Sequence, residues 1–227
     1  MNDARRLTSE RAIRRLFPAS VIRQARALRS EGRSGTRTAD AGGRVLASEV
    51  SRFGSEAKCR NYLEQLRWPD GVSCLRCGAG NSIARIEKRG QFECRGCGYQ
   101  FSVRVGTVFQ NSHLPLWKWL LAAYAMSESE SGVSAHRIKG MLGVPYKTAW
   151  YLCHRIREAM RDPVGPARKP RPPDRLGHPT NISQKHRARY IDEIAFRSSN
   201  RGNPYRFRDI LLGLVRAGSL PYSELTA

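Results

Sequence analysis

The sequence contains no apolar run long enough to cross a membrane. Its longest candidate, Leu114 to Met126, contains Lys118 and is shorter than the roughly 18 residues that a membrane helix needs. The N-terminal segment also lacks the apolar core of a secretory signal, so we expect neither secretion nor a membrane span. Because this segment is rich in arginine and poor in acid, an organelle transit peptide and an over-extended translation start are the alternatives to a basic arm.

Acidic residues are scarce in this chain. The 227 residues include 19 Asp and Glu against 40 Lys and Arg, which gives a formal net charge of +21. A surplus of this size is typical of proteins with a polyanionic partner, and nucleic acid is the first candidate. The alternative is a basic surface that serves only solubility. The length permits one or two domains.

Cysteine is infrequent too, but four of the six cysteines form two Cys-x-x-Cys pairs, each followed by glycine. The pairs are Cys74/Cys77 and Cys94/Cys97, with sixteen residues between them. Sixteen residues suffice for a short hairpin that brings the pairs together. Four thiolates then close a tetrahedral site that suits Zn²⁺ and leaves no open position for catalysis. We therefore predict a structural zinc ion and a reducing compartment; disulfides are the alternative.

Alternating side chains between the two cysteine pairs predict that hairpin. Residues 83–87 alternate, residues 88–90 (Lys-Arg-Gly) supply the turn, and Phe92 leads into the second pair. Residues 99–105 predict a further strand, again with a period of two. Because so small a unit buries little apolar surface, we expect metal binding to supply much of its stability, on the order of 10 kcal/mol or more.

Helical spacing precedes the ribbon and resumes after it. A helix is predicted from Ser55 until the turn residues 68–71 (Trp-Pro-Asp-Gly), and Cys59 lies within it without a partner pair, so we assign Cys59 to the core. After Pro115, apolar residues recur at i, i+3, i+4 and i+7: these are Trp117, Leu120, Leu121 and Tyr124. Both tryptophans here, at 117 and 119, are interpreted as core.

Two further helices are predicted around a tight break. Ser134 is a good N-cap for a helix that runs to about Leu142, residues 143–145 (Gly-Val-Pro) interrupt it, and a second helix begins near Tyr146. The apolar face of the second helix should pack on the preceding helices and consists of Ala149, Leu152, Cys153, Ile156 and Met160. The same pattern therefore predicts that Cys153 is a core residue, not a metal ligand.

The remaining sides of the second helix carry donors and cations suited to the major groove of DNA. We predict a helix-turn-helix whose DNA-binding residues are Lys147, Thr148, Trp150, Tyr151, His154 and Arg155. His154 is interpreted as a polar surface contact rather than a catalytic base. The alternative is an ordinary three-helix bundle with a solvated basic face.

The predicted fold class is mainly α with a small β zinc ribbon. The predicted segments are a basic, poorly ordered arm (1–52), a helix leading into the ribbon (53–72), the zinc ribbon (73–106), the helix-turn-helix unit (107–160), a Pro-rich linker (161–180) and a helical C-terminal segment (181–227). Within the arm, one short helix could be lined by Ile13, Leu16, Phe17, Val21 and Ile22. In the C-terminal segment two apolar stripes are predicted: Ile191, Ile194 and Ala195, then Phe207, Ile210, Leu211, Leu214 and Val215.

Several runs of residues, in order along the chain, resemble one family. They are residues 62–71, the two cysteine pairs, 101–102, 106–109, 112–116, 143–151 and 154–157. Together they resemble the front of zinc-ribbon insertion-sequence transposases of the DDE type (ISXO2-like), over residues from about 53 to 160. One departure is Leu75, where that family usually has proline, and this leaves the metal site intact.

The resemblance implies a catalytic domain that this sequence does not display. In that family a ribonuclease-H-like domain follows and presents three acidic residues to two divalent metals. Here the Pro-rich residues 161–180 follow instead, and residues 181–227 resemble the far C-terminal end of the family, so we predict that the catalytic middle is deleted. The acidic residues that remain are interpreted as solvated or ion-paired surface charges: Asp162, Asp174, Asp192, Glu193, Asp209 and Glu224. No catalytic residue is assigned.

The predicted function is therefore that of a DNA-binding remnant of a transposase. The resemblance implies double-stranded DNA as partner, in the form of the terminal inverted repeats of the parent element, and a cytoplasmic, nucleoid-associated protein in a bacterium. A second copy of the chain or a full-length transposase is a further expected partner. The alternatives are a functional transposase, a zinc-ribbon module that contacts protein, and a pseudogene product without a role.

Overall fold

The computed structural model describes residues 3–27, 50, 55–129, 132–161, 184–220 and 224–225. The described part is mainly helical with one small antiparallel sheet, which confirms the predicted fold class. The linker predicted for residues 161–180 lies outside the described residues except for Arg161, the last residue of a helix. In the described part of the chain, no helix is long and apolar enough to span a membrane.

The described residues form eight α-helices, three strands and two short 3-10 helices. The helices are α1 (Ser9–Leu16), α2 (Ala19–Ala27), α3 (Ser55–Arg67), α4 (Leu116–Glu128), α5 (Ala135–Leu142), α6 (Tyr146–Arg161), α7 (Gln184–Ser199) and α8 (Arg206–Arg216). The strands are β1 (Ile83–Ile86), β2 (Gln91–Cys94) and β3 (Gln100–Phe101), and the 3-10 helices are Asp3–Arg6 and Glu87–Arg89.

The N-terminal segment is a folded part of the body, so the prediction of a poorly ordered arm is wrong for residues 3–27. Its apolar residues were identified correctly, but they lie on two helices and the turn between them, and all are buried: Ile13, Leu16, Phe17, Val21 and Ile22. The Ser9 hydroxyl accepts a hydrogen bond from the backbone N–H of Phe207 at 3.0 Å. This contact joins the start of α1 to the start of α8. The free energy gained by burying the apolar residues offsets the conformational entropy that the segment loses on folding.

The three strands form a sheet in the order β1-β2-β3. Ile83 pairs with Cys94 and Ile86 with Gln91, as the predicted hairpin requires, and Gly90 closes the turn with a positive φ of 59°. The third strand is shorter than predicted and ends at Phe101. It ends there because the buried Val103 side chain joins the helical core, and the carbonyl of Val103 accepts a hydrogen bond from Arg67 at 2.7 Å.

Helix α4 lies at the centre of the body and is buried on nearly all sides. Its N-cap residue, Pro115, has no side chain that could cap the helix. The carboxylate of Glu56 in α3 takes this role, since it accepts hydrogen bonds from the backbone N–H groups of Leu116 and Trp117, both at 3.1 Å. Both predicted core tryptophans, at 117 and 119, are buried.

The predicted break between the next two helices is confirmed. The Ser134 hydroxyl accepts from the N–H of Arg137 at 3.3 Å, and Gly143 ends α5 with a positive φ of 58°. Helix α6 begins at Tyr146, and its predicted apolar face is fully buried: Ala149, Leu152, Cys153, Ile156 and Met160. The geometry of two helices about a tight turn thus follows from the sequence, while the DNA-reading role of α6 stays a prediction.

The C-terminal helices complete the same body. Helix α8 packs against α3, α4 and α6, and the five residues of its predicted apolar stripe are all buried. The stripe predicted for α7 is wrong: Ile191 is half exposed, and the buried residues are Glu193, Phe196 and Arg197. The reason is an ion pair, in which the Glu193 carboxylate lies 2.6 Å from Nε of Arg157 in α6. Glu193 is therefore a buried charge and not the surface charge that we predicted.

Candidate metal centre and nucleic-acid interface

The four paired cysteines come together at one end of the ribbon. Their Sγ atoms all lie within 4.8 Å of one another, and the Cys74–Cys97 and Cys77–Cys94 separations are both 3.6 Å. Zn–S bonds of about 2.3 Å in a tetrahedron imply sulfur atoms about 3.8 Å apart, so the donor set fits Zn²⁺. Within the described ranges, this is the only cluster of three or more His, Cys, Asp or Glu side chains that could hold a metal ion.

The two cysteine loops have the same backbone geometry. The glycine after each pair has a positive φ, 75° at Gly78 and 69° at Gly98, a conformation that side chains with a Cβ disfavour. Each glycine N–H then donates to the carbonyl of the first cysteine of its pair, at 2.9 Å to Cys74 and 2.8 Å to Cys94. This turn places two thiols on one side of each loop.

Cys74 and Cys97 differ in pKa because burial and hydrogen bonds to sulfur act differently on the two thiols. Burial raises the pKa of Cys74, but the backbone N–H groups of Cys77 and Arg76 and the neighbouring thiols lower it to about 6. The N–H of Tyr99 lowers the pKa of Cys97, but burial and the other three thiols raise it to about 12. Four adjacent thiolates repel one another, so their joint ionisation requires a bound cation.

The two remaining cysteines are core residues, as predicted. Cys59 and Cys153 are both fully buried on helices. Burial raises the pKa of Cys153 to about 12 and that of Cys59 well above its ordinary value. Both therefore stay protonated and pack as small apolar side chains.

The ribbon is attached to the helical body through the end of α3. The Trp68 ring meets the rings of Phe92 and Phe101 edge to face, with centroids 5.6 Å and 6.0 Å away. Arg85 on β1 reaches the Glu64 carboxylate on α3 at 2.9 Å. The contacts that hold the ribbon on the body thus include an aromatic cluster and an ion pair.

The six residues predicted to bind DNA do not share one exposed face. Lys147 is exposed, and Thr148, Trp150 and Tyr151 are half-buried, whereas His154 and Arg155 are only 0% and 6% exposed. The prediction that His154 is a surface contact is wrong, and Arg155 is likewise a buried residue. A helical wheel cannot predict the burial of His154 and Arg155, because it does not show that α7 and the loop before α4 cover that side of α6.

His154 lies in an aromatic cluster between α6 and α7. Its ring centroid is 4.1 Å from that of Trp150, 5.0 Å from that of His186 and 5.7 Å from that of Tyr190. Both ring nitrogens are buried, and neither has a hydrogen-bond partner among the described residues. Burial, followed by the charges of nearby Arg157, His186 and Arg189, lowers the pKa of His154 to about 3, so this imidazole is neutral at pH 7.

Arg155 joins α6 to two other segments of the chain. Its Nη1 donates to the carbonyl of Val108 at 2.9 Å and its Nη2 to that of Leu220 at 2.6 Å. Its guanidinium carbon also lies 4.7 Å from the ring centroid of Tyr151. Arg155 is therefore a structural residue in the wall of a cavity beside α6.

That cavity, of about 520 Å³, is the feature of this surface that sequence reasoning missed. Its lining residues come from the loop before α4, from α4, from α6 and from Ser219; they are Gln110, Asn111, Ser112, His113, Leu114, Trp119, Lys147, Thr148, Tyr151, Leu152, Arg155 and Ser219. Four of the six predicted DNA-binding residues line the cavity: Lys147, Thr148, Tyr151 and Arg155. No spacing rule links a loop at residue 110 to a helix at residue 150, so only the fold brings them together.

Comparison with known proteins identifies the ribbon. Residues 54–100 match the transposase zinc-ribbon domain of the IS1595 type. The chain is also 32% identical over 117 residues to an "Uncharacterized protein in transposable element ISH50" from Halobacterium salinarum. The aligned part covers 50% of this chain and 39% of that relative, so the chain spans less than half the length of the curated relative. No solved structure matches the chain.

Proposed function

We propose that this chain is a transposase-derived DNA-binding protein that recognises the terminal inverted repeats of its parent element. The observation that carries the proposal is a four-cysteine site, of zinc-binding dimensions, inside a segment that matches the transposase zinc-ribbon domain. The place of such a protein would be the bacterial nucleoid. A second copy of the chain, or a full-length transposase on the same element, is the expected protein partner.

The distribution of charge supports a nucleic-acid partner. On the ribbon, Arg76, Lys88, Arg89 and Arg95 are exposed, and Lys147 is exposed at the start of α6. With a formal net charge of +21, phosphate contacts from these side chains would release counterions and supply affinity that does not depend on base sequence. Base-specific contacts are assigned to Thr148, Trp150 and Tyr151 of α6, which are half-buried beside the exposed Lys147.

We further propose that the protein does not catalyse strand transfer, because the DDE core of the resembling family has been deleted between α6 and α7. Two of the acidic residues that follow Met160 have structural partners: Glu193 is paired with Arg157, and Asp209 lies 2.7 Å from Arg208. A carboxylate held in this way is poorly placed to bind catalytic metal ions. The test is incubation of the full chain and element-end DNA with Mg²⁺ or Mn²⁺, for which we expect no cleavage; robust cleavage would show a functional transposase.

DNA binding is tested by titrating the zinc-loaded full chain with duplex oligonucleotides of the element ends over a series of salt concentrations. A DNA-binding protein should lose affinity with a log–log slope of about −0.9 for each phosphate contact. Lys147→Ala should reduce the slope by about one such contact, whereas the control Arg201→Ala, at an exposed position after α7, should not. Absence of binding at low salt would rule out the proposal and favour a zinc-ribbon module that contacts protein.

A further inference from the structure

The cavity beside α6 has the size of a ligand site and is partly open to solvent. Its volume is about 520 Å³, within the range of roughly 300–1,000 Å³ that is common for small-molecule sites. Hydrogen bonds hold its loop wall: the Ser112 hydroxyl accepts from Nε1 of Trp119 and from the N–H of Leu114, both at 3.2 Å. In the same loop Asn111 has a φ of 58°, a left-handed turn conformation that asparagine adopts more readily than most other residues with a side chain. The cavity is therefore a built feature of the fold.

The charge of the cavity favours an anion. Among the described residues that line it, none is acidic, while Lys147 stands at the rim and Arg155 lies in the wall. Nε of Arg155 is buried and has no hydrogen-bond partner in the described ranges, and the two other guanidinium nitrogens donate to backbone carbonyls. Among the residues that the structure describes, no carboxylate lies within hydrogen-bond distance of this buried cation, so its field extends into the cavity.

The walls of the cavity are apolar and aromatic. Tyr151 and Trp119 contribute rings, and Leu114 and Leu152 contribute aliphatic surface. The Arg155 guanidinium lies over the Tyr151 ring at 4.7 Å, which limits the orientations open to that ring. A flat heterocycle can stack against such a ring, as bases do in proteins that bind unpaired nucleic acid.

The rim carries neutral hydrogen-bonding groups. Gln110, Asn111, Thr148 and Ser219 offer both donors and acceptors. The side-chain oxygen of Gln110 accepts from the N–H of Gly106 at 2.7 Å, which orients that amide. Groups of this kind are suited to the edge of a nucleobase, which alternates donors and acceptors.

We propose that this cavity binds one unpaired nucleotide of the DNA, with its base against Tyr151 and its phosphate near Lys147. The site offers cationic, aromatic and hydrogen-bonding groups. A nucleotide matches all three, because it joins an anionic phosphate to a flat base whose edge forms hydrogen bonds. A base inside a duplex cannot enter, because stacking and pairing hold it in the helix. The inference rests on the proposed DNA-binding function and specifies one ligand of the same surface.

The experiment uses the zinc-loaded full chain and two duplexes of the same sequence. One carries a single unpaired 2-aminopurine nucleotide, and in the other this position is paired. We expect about ten-fold tighter binding of the first duplex, as one aromatic–base stack would supply, together with quenching of the 2-aminopurine fluorescence. In Tyr151→Leu, which keeps an apolar side chain but removes the ring, the affinity ratio should fall to about one.

Tyr146→Ala is the matched control, since Tyr146 is an exposed aromatic residue of the same helix that does not line the cavity; it should keep the ratio. Thermal unfolding of each variant verifies that it folds. Salt-dependent binding of both duplexes with equal affinity by the parent protein would overturn the cavity proposal and leave the proposed function intact. Failure to bind either duplex would overturn both. Tight binding of a free deoxynucleoside monophosphate, without preference between the duplexes, would overturn the assignment of the ligand to DNA.

Discussion

The zinc ribbon and the helical body differ in what holds them together. The buried cluster of the ribbon consists of Cys74, Phe92, Cys94 and Phe101, and two of these four belong to the candidate zinc site. The helical body buries a continuous apolar core that reaches from the N-terminal helices to α8. Trp68 is packed against both clusters. We infer that the ribbon depends on a metal ion and the body on apolar burial, with Trp68 as the joint between them.

The largest expected effect is the loss of the ribbon in Cys94→Ser. A three-ligand site should bind zinc far more weakly, and a structural zinc site supplies on the order of 10 kcal/mol, more than the small ribbon core can replace. Mass spectrometry should show loss of zinc, and amide NMR should show collapse of the ribbon signals while helical circular dichroism is largely kept. Cys59→Ser, in the body, should retain zinc. A ribbon that stays folded in Cys94→Ser would contradict the inference that the ribbon depends on a metal ion.

The second effect concerns the buried ion pair of the body. Glu193→Ala leaves Arg157, which is 2% exposed, as an uncompensated buried cation, and the cost should be about 3–5 kcal/mol in the free energy of unfolding. Chemical denaturation followed by helical circular dichroism measures it, and zinc content should not change. In the control Glu87→Ala the lost partner is Arg85 at an exposed site, so the change should stay below about 1 kcal/mol. Equal stability of the two variants would show that the pair is dispensable.

The third effect tests the packing of α8 on α6. A Cβ added at Gly213 would lie 2.3 Å from the backbone oxygen of Ala159, so the helices must separate. Although alanine favours helix by about 1 kcal/mol over glycine, overpacking should make Gly213→Ala less stable by about 1–3 kcal/mol. Gly80→Ala in the ribbon, where no atom lies within 4 Å, serves as the control and should change the melting temperature little. A stabilised Gly213→Ala would show that the interface is looser than described.

The smallest effect is a pH dependence of the body. Burial lowers the pKa of His154 from 6.5 to about 3, so between these values the unfolded state binds the proton that the folded state excludes. Stability is therefore fully present above pH 6.5 and falls toward pH 3, by at most about 1.4 kcal/mol per pH unit for one proton. Within the part of the chain that the structure describes, the groups that contact the ring or lower its pKa are aromatic or cationic, namely Trp150, Arg157, His186, Arg189 and Tyr190.

His154→Phe should flatten this slope between pH 6 and pH 5 in denaturation series, since a phenyl ring fills the aromatic cluster without titrating. The exposed His136→Phe should leave the slope unchanged. An unaltered slope in His154→Phe would mean that another group controls the acid sensitivity.

Short-range patterns predicted more than long-range ones. The cysteine spacing predicted the four thiols that the fold brings together in a site fit for zinc. Ser134 and Gly143 marked the ends of α5, because a cap or a tight loop depends on neighbours within a few residues. The stripe of α7 and the surface position of His154 were wrong. Those positions are decided by contacts between α6 and α7, which lie more than 20 residues apart in the sequence.

The N-terminal helices are a second case in which the sequence pattern alone did not predict burial. Their arginine-rich composition suggested an arm, yet Ile13 and Phe17 are almost completely buried. Scattered apolar residues in a basic segment are ambiguous until a partner surface is known. Here α3, α4 and α8 provide that surface, and the gain from burial exceeds the cost of ordering the chain.

The sequence by itself determined the metal centre, the hairpin that closes it, the caps of α5 and the apolar faces of α4, α6 and α8, since each depends on side-chain period or on turn chemistry over a few residues. Tertiary structure alone decided which charges are buried, that Arg155 supports a wall rather than faces solvent, and that a loop near residue 110 forms a cavity with α6. The physical reason is that burial is a property of two surfaces in contact, and each surface comes from a distant part of the chain.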